Sequence, residues 1–98
     1  MNAKIYEFNA IIMSSDIGKG GAYIAFPFNI QEMFGKGRVR VCATFDGEPY
    51  NGSIVNMGVK NPDGSVCYII GIRKDIRAKI SKQHGDSVRV TVQRQMQN

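Results

Sequence analysis

Six basic side chains in the second half of the chain, Arg73, Lys74, Arg77, Lys79, Lys82 and Arg89, are the residues whose type and grouping most invite chemistry. They form a candidate surface for nucleic acid or other anions, because cations gain affinity for phosphates by displacing their counterions. The formal charge of +5 is unevenly shared: residues 1–49 balance acid against base, whereas residues 50–98 hold eight basic side chains and three acidic ones. One small basic patch also fits a plain solvated face, so charge alone does not name a partner.

Four aromatic residues, Tyr23, Phe28, Tyr50 and Tyr68, form a second candidate set, a pocket for a protein or a small ligand. Aromatic side chains more commonly serve as core and rim of a small domain. A catalytic constellation is not visible. The single histidine, in Lys82-Gln83-His84-Gly85-Asp86, reads as an exposed turn residue and not as a general base. Asp86, Asp16, Asp46 and Asp63 all fall in expected turns, where carboxylates accept backbone hydrogen bonds. Cys42 and Cys67 lie in different expected strands without Cys-x-x-Cys spacing and read as unpaired thiols. No metal site or cofactor is expected. Gly18-Lys19-Gly20 lacks the remaining glycine, the following Ser or Thr and the helix of a phosphate-binding loop, so Ser14 to Gly21 is read as a flexible connection.

The elements that must position these residues come from a duplication. Ala22 to Phe45 and Tyr68 to Gln93 share one plan: an extended segment, a short helix, a glycine and a strand with Val-Arg-Val. At one constant offset Ile24 matches Ile70, Phe26 matches Ile72, Asn29 matches Asp75, Ile30 matches Ile76 and Phe34 matches Ile80. After a short insertion at Gln83-His84, Gly37 answers Gly85 and Val39-Arg40-Val41 answers Val88-Arg89-Val90. Asn29 is expected to cap the first helix, with Glu32 completing a capping box, and Asp75 to cap the second. Gly35 and Gly37 should end the first helix and Gly85 the second. Helices of one or two turns are marginal alone, so Ile30 and Ile76 must press against a sheet.

In chain order, Lys4 to Met13 alternates with Tyr6, Phe8, Ala10 and Ile12 on one face, the period of a half-buried strand. Strands are expected over Ala22 to Pro27, Gly37 to Asp46, Pro49 to Met57, Val66 to Ile72 and Asp86 to Arg94. Asp46-Gly47 signals a hairpin, Asn61-Pro62-Asp63-Gly64 a second turn, and Gly52 a bulge or a close approach. The end, Met96 to Asn98, should fray.

The 98 residues suit a single domain, 1–98. No stretch approaches the roughly 20 apolar residues of a membrane span, and the N-terminal residues turn polar at Glu7, so a cytoplasmic protein without membrane contact is expected. The expected fold is mainly β: a small barrel of about six strands, built from the duplicated strand-helix-strand unit about a pseudo-two-fold axis and capped by two short helices.

Tyr23-Ile24-Ala25-Phe26-Pro27, Gly37-Arg38-Val39-Arg40-Val41, Asp46-Gly47, Ile72 through Arg77 and Gly85-Asp86-Ser87-Val88-Arg89-Val90 together resemble the DUF1905 family. The resemblance implies a double-split β-barrel, a pseudobarrel with helices at both ends, and supplies no activity. The same fold class holds the AbrB and MazE type of DNA-binding domain, which Gly85-Asp86 before a β-branched strand is similar to; such fold-level likeness does not confer function.

These features are best met by a non-enzymatic binding module whose partner is unknown. The alternative is one-sided, sequence-independent nucleic-acid binding, since the first copy offers Phe28, Gln31 and Met33 where the second has Lys74, Arg77 and Lys79, which disfavours a symmetric reader. An enzyme is the weakest option.

Overall fold

Strict alternation of apolar and polar side chains builds the two central strands. The computed structural model describes residues 4–14 and 21–95. Seven strands, β1 (Ile5–Ile11), β2 (Met13–Ser14), β3 (Ala22–Ala25), β4 (Arg38–Phe45), β5 (Glu48–Val55), β6 (Ile69–Gly71) and β7 (Ser87–Arg94), accompany two helices, α1 (Ile30–Phe34) and α2 (Lys74–Ile80). They form one sheet in the order β1-β7-β4-β5-β6-β3-β2, with every pair antiparallel. Val39, Val41, Ala43 and Phe45 of β4 and Val88, Val90 and Val92 of β7 face one interior with Ile24, Ile54 and Ile70. None of the described helices is long and apolar enough to cross a membrane. Gly18-Lys19-Gly20, Asp16 and Met96 to Asn98 lie outside the described residues.

The two copies meet along two ladders. Ile24 pairs with Ile70 across β3 and β6, and Ala43 pairs with Val92 across β4 and β7. Both pairs join residues that correspond under the duplication, as an antiparallel ladder crossed by a two-fold axis requires. Ile30 and Ile76, the buried residue of each helix, hold corresponding places. Beside the axis the hydroxyls of Thr44 and Thr91 share a hydrogen bond of 2.5 Å.

The barrel expected from the sequence is not closed. The first strand breaks at Ile12, so that β1 pairs with β7 at one edge of the sheet and β2 with β3 at the other. The sheet curls into a half-barrel without a ladder between β1 and β2. This break makes seven strands of the expected six. Ile12 is fully buried, its N–H donating to Asp86 O at 2.9 Å and its carbonyl accepting from Gly85 N–H at 2.7 Å. β5 does the corresponding work as one strand, pairing with both β4 and β6 around the fully buried Ile54.

Four local expectations need correction. Asp75 does not cap α2: the helix starts earlier, with Arg73 as N-cap, and Asp75 sits in the first turn with its carboxylate 3.1 Å from Arg73 Nε. In the first copy Pro27 and the Asn29 cap, which accepts from the N–H groups of Gln31 and Glu32, delay the start by two residues. Gly85 does not end α2 either. Ser81 does, in the left-handed conformation (φ 57°) at the place that Gly35 (φ 70°) takes after α1. Gly52 makes no bulge; Tyr50 folds its ring over it, and a Cβ there would meet that ring, with Cζ at 3.0 Å. The expected strand from Val66 shortens to β6, Val66 keeping only an isolated bridge to Lys60.

The Asp46-Gly47 turn forms as expected, both residues having positive φ. Asp46 also ties three elements together. Its carboxylate accepts from the Lys82 ammonium at 2.6 Å and from Arg89 N–H at 2.8 Å, and these contacts, Lys82 foremost, hold its pKa below the ordinary value.

Two outcomes are expected. Asn29→Ala should lower stability in urea unfolding by about 1 kcal/mol, and Asp75→Ala by roughly half of that or less, since only Asn29 closes a helix end. Because the Asp46 pKa is depressed on folding, the unfolded chain takes up its proton first. The contribution of Asp46 is therefore intact above the ordinary carboxyl value of about 4 and is lost as pH falls through the folded value. Asp46→Asn, which tolerates the left-handed backbone, should lower the urea midpoint at pH 7 and leave the variant and the parent closer together at pH 3.

Candidate functional site

The residues at the start of α2 sit where β6 hands the chain to the helix beside β5. Between them opens a cleft of about 1060 Å³, lined by Tyr50, Gly71, Ile72, Arg73, Lys74, Asp75, Arg77 and Ala78, with Gly21 and Ala22 completing the wall. Its floor is apolar and its rim is cationic. A smaller depression of about 380 Å³ is lined by Lys74, Arg77, Lys82, Gln83 and Asp86.

The six cations grouped by the sequence do not form one continuous surface. Four are engaged by carboxylates: Arg73 with Asp75 (3.1 Å), Lys79 with Glu48 (3.4 Å), Lys82 with Asp46 (2.6 Å) and Arg89 with Glu7 (2.7 Å). Lys82 also donates to Ser87 O, which makes it a brace between the end of α2 and β7. Arg73, Lys74 and Arg77 are the three that border the cleft. Lys74 is exposed and has no carboxylate partner among the described residues.

The four aromatic residues expected in one pocket are not brought together. Tyr68 is core, only 7% exposed. Phe28 lies on the first half against Tyr6 and Phe26, beside a notch of about 170 Å³. Tyr23 borders an apolar groove of about 360 Å³ with Phe8, Ile11, Met13 and Val59. Tyr50 alone joins the cations. Alternation in β5 turns its ring inward, toward Phe45 at 5.8 Å, and Gly52 leaves room for it. The pairing of Tyr50 with α2 was missed because the sequence places these segments far apart, and only the ladder between β5 and β6 brings them together.

Other candidates for chemistry are spread out. His84 is exposed in the turn after α2, and the Asp86 carboxylate accepts from Gln83 N–H at 2.9 Å. Asp63 accepts from the hydroxyl and N–H of Ser65, which lower its pKa. Cys42 is exposed and Cys67 buried, both as free thiols, and burial pushes the Cys67 thiol up. Among the described residues no group of three or more His, Cys, Asp or Glu gathers as metal ligands would.

A search among curated proteins gave no significant match to the chain. A family model described as "Domain of unknown function (DUF1905)" matches residues 8–92, most of the sheet and both helices, and the chain therefore belongs to the DUF1905 family.

Proposed function

We propose that this protein is a non-enzymatic binding module that holds an anionic group in the cleft between β5 and α2. The observation that carries this reading is the convergence of Arg73, Lys74 and Arg77 on one concave, partly apolar surface beside Tyr50. Concave sites of several hundred Å³ with an apolar floor and a few convergent polar groups are where small ligands bind. Among the described residues Asp75 is the carboxylate that lines the wall; it is engaged by Arg73, and no described base stands there beside a nucleophile. The free thiols Cys42 and Cys67 support a reducing, cytoplasmic setting. The pseudo-two-fold ladders support treating the curled sheet as the double-split form of a β-barrel.

One-sided nucleic-acid binding is the second reading, favoured by the exposure of Lys74 beside Arg73 and Arg77. The engagement of Lys79, Lys82 and Arg89 by carboxylates weighs against it, because a track along a phosphate backbone needs many cations free to exchange partners.

In a thermal-shift screen of anionic metabolites, at least one should raise the melting temperature of the parent, and Arg73→Glu/Lys74→Glu should abolish the shift. A hit retained by the double variant would move the site elsewhere. For the second reading, single-stranded DNA or RNA should be retained at low salt, with log affinity falling against log salt by about 0.7 per phosphate contacted. No retention at low salt removes it.

A further inference from the structure

The chain carries, in its first half, a counterpart of the cleft in which an aromatic cluster stands in place of the cation. The ladders establish the correspondence: Tyr6 pairs with Val92 and Tyr50 with Ala43, and Ala43 and Val92 correspond under the duplication. Tyr6 therefore corresponds to Tyr50, while the strand-to-helix segment matches Phe26 to Ile72 and Phe28 to Lys74.

In the first half these positions form an aromatic cluster. Phe28 packs on Tyr6 with ring centroids 5.5 Å apart and planes tilted by 50°. Phe26 stands edge-on to both, at 6.2 Å from Tyr6 and 5.4 Å from Phe28. In the second half the smaller Ile72 replaces Phe26, and Lys74 replaces the ring that would cover Tyr50. What opens there is the cleft. At the matching sequence position one half has Phe28, which leans on Tyr6 and stays 44% exposed, and the other has Lys74, the first residue of the earlier-starting α2, beside the cleft.

From this we infer that the cleft takes a small ligand in which an aromatic ring carries a phosphate or carboxylate group. The ring lies against Tyr50 as Phe28 lies against Tyr6, and the anion is met by Lys74 with Arg73 and Arg77. The inference rests on the anion-binding reading above and adds the ring to it. Ring and anion act together: an offset or tilted aromatic pair contributes beyond its buried area, and a cation beside a partly apolar floor is more effective than one in open water.

The test is titration, by calorimetry and by amide chemical shifts, with ring-bearing anions and their ringless counterparts: phenyl phosphate against inorganic phosphate, adenosine 5′-monophosphate against ribose 5-phosphate, and benzoate against acetate. In at least one pair the ring-bearing anion should bind about tenfold more tightly or better, the range expected for stacking one ring on an aromatic side chain. The pair that responds distinguishes phosphate from carboxylate ligands. Lys74→Phe, an exposed position given the residue of the first half, should raise the melting temperature and abolish binding. Lys74→Met, which removes the charge and leaves the cleft open, should weaken binding and retain the preference for the ring. Equal affinity within every pair overturns the inference and leaves the anion-binding reading standing. Absence of binding by all six probes overturns both. Ring-bearing anions that bind Lys74→Phe as they bind the parent also overturn it, because their site would lie elsewhere.

Discussion

Two ladders, each centred on a pair of corresponding residues, hold the molecule together. The β3–β6 ladder is centred on Ile24 with Ile70 and the β4–β7 ladder on Ala43 with Val92, and neither half can complete its sheet without the other. Each half has a helix of seven residues or fewer with a single buried side chain, too little to stand alone. Pairing the halves gives Val39, Val41 and Phe45 a common interior with Val88, Val90 and Ile70, at roughly 1.5 to 3 kcal/mol for each large side chain removed from water. Everything else is fitted to that shared core, including the bend at Ile12 by which the first strand reaches both edges of the sheet.

Symmetry holds inside and lapses outside, and the two follow from different physics. The interior is constrained by close packing, so most corresponding positions keep apolar residues, as Ile24 and Ile70, Ile30 and Ile76, and Val41 and Val90 do. The surface is not so constrained, and there the halves diverge in charge. Much of the excess positive charge is absorbed by structure: Lys82 and Lys79 join α2 to the β4–β5 hairpin through Asp46 and Glu48, and Arg89 joins β7 to β1 through Glu7. Exposed ion pairs of this kind contribute little each. The cations that line the cleft are Arg73, Lys74 and Arg77, at the start of α2.

The features legible in the sequence were those governed by neighbours. Alternation placed β4 and β7 with the right faces inward, Asn29 capped α1, and Asp46-Gly47 turned the hairpin. The duplication indicated that the halves pack against each other about a two-fold axis, and the ladders supply the residues that meet. Where reading failed, a distant or unusual determinant was at work. Asp75 looked like a cap only because the shorter α1 was the template, and the early start of α2 reflects the missing proline. Ser81 ends α2 in a left-handed conformation that serine rarely adopts, so the nearby glycine was the natural but mistaken choice. Tyr68, a candidate for a pocket although core was the favoured reading of the aromatics, is core because the chain before β6 turns it inward. The cleft could not be assembled from the sequence at all, since β1 and β5 share little beyond Tyr6 and Tyr50, and their equivalence rests on ladder register.

That equivalence bears on why the cleft is open. An open cleft in a small domain is ordinarily explained by imperfect packing, but here the same chain displays the packed solution a half-turn away. Phe28 packs on Tyr6 from a sequence position that on the other side belongs to Lys74, although α2 begins two residues earlier than α1. Burying a ring contributes on the order of 1 kcal/mol or more, so a lysine at this place leaves attainable stability unused. A solvated lysine needs no concave floor of Tyr50, Ile72 and Ala78 beneath it, and a surface kept merely soluble would not require the ring of Tyr50 to remain uncovered. On the proposed reading, one half covers its tyrosine with the chain's own ring and the other leaves Tyr50 to a ligand that brings its own.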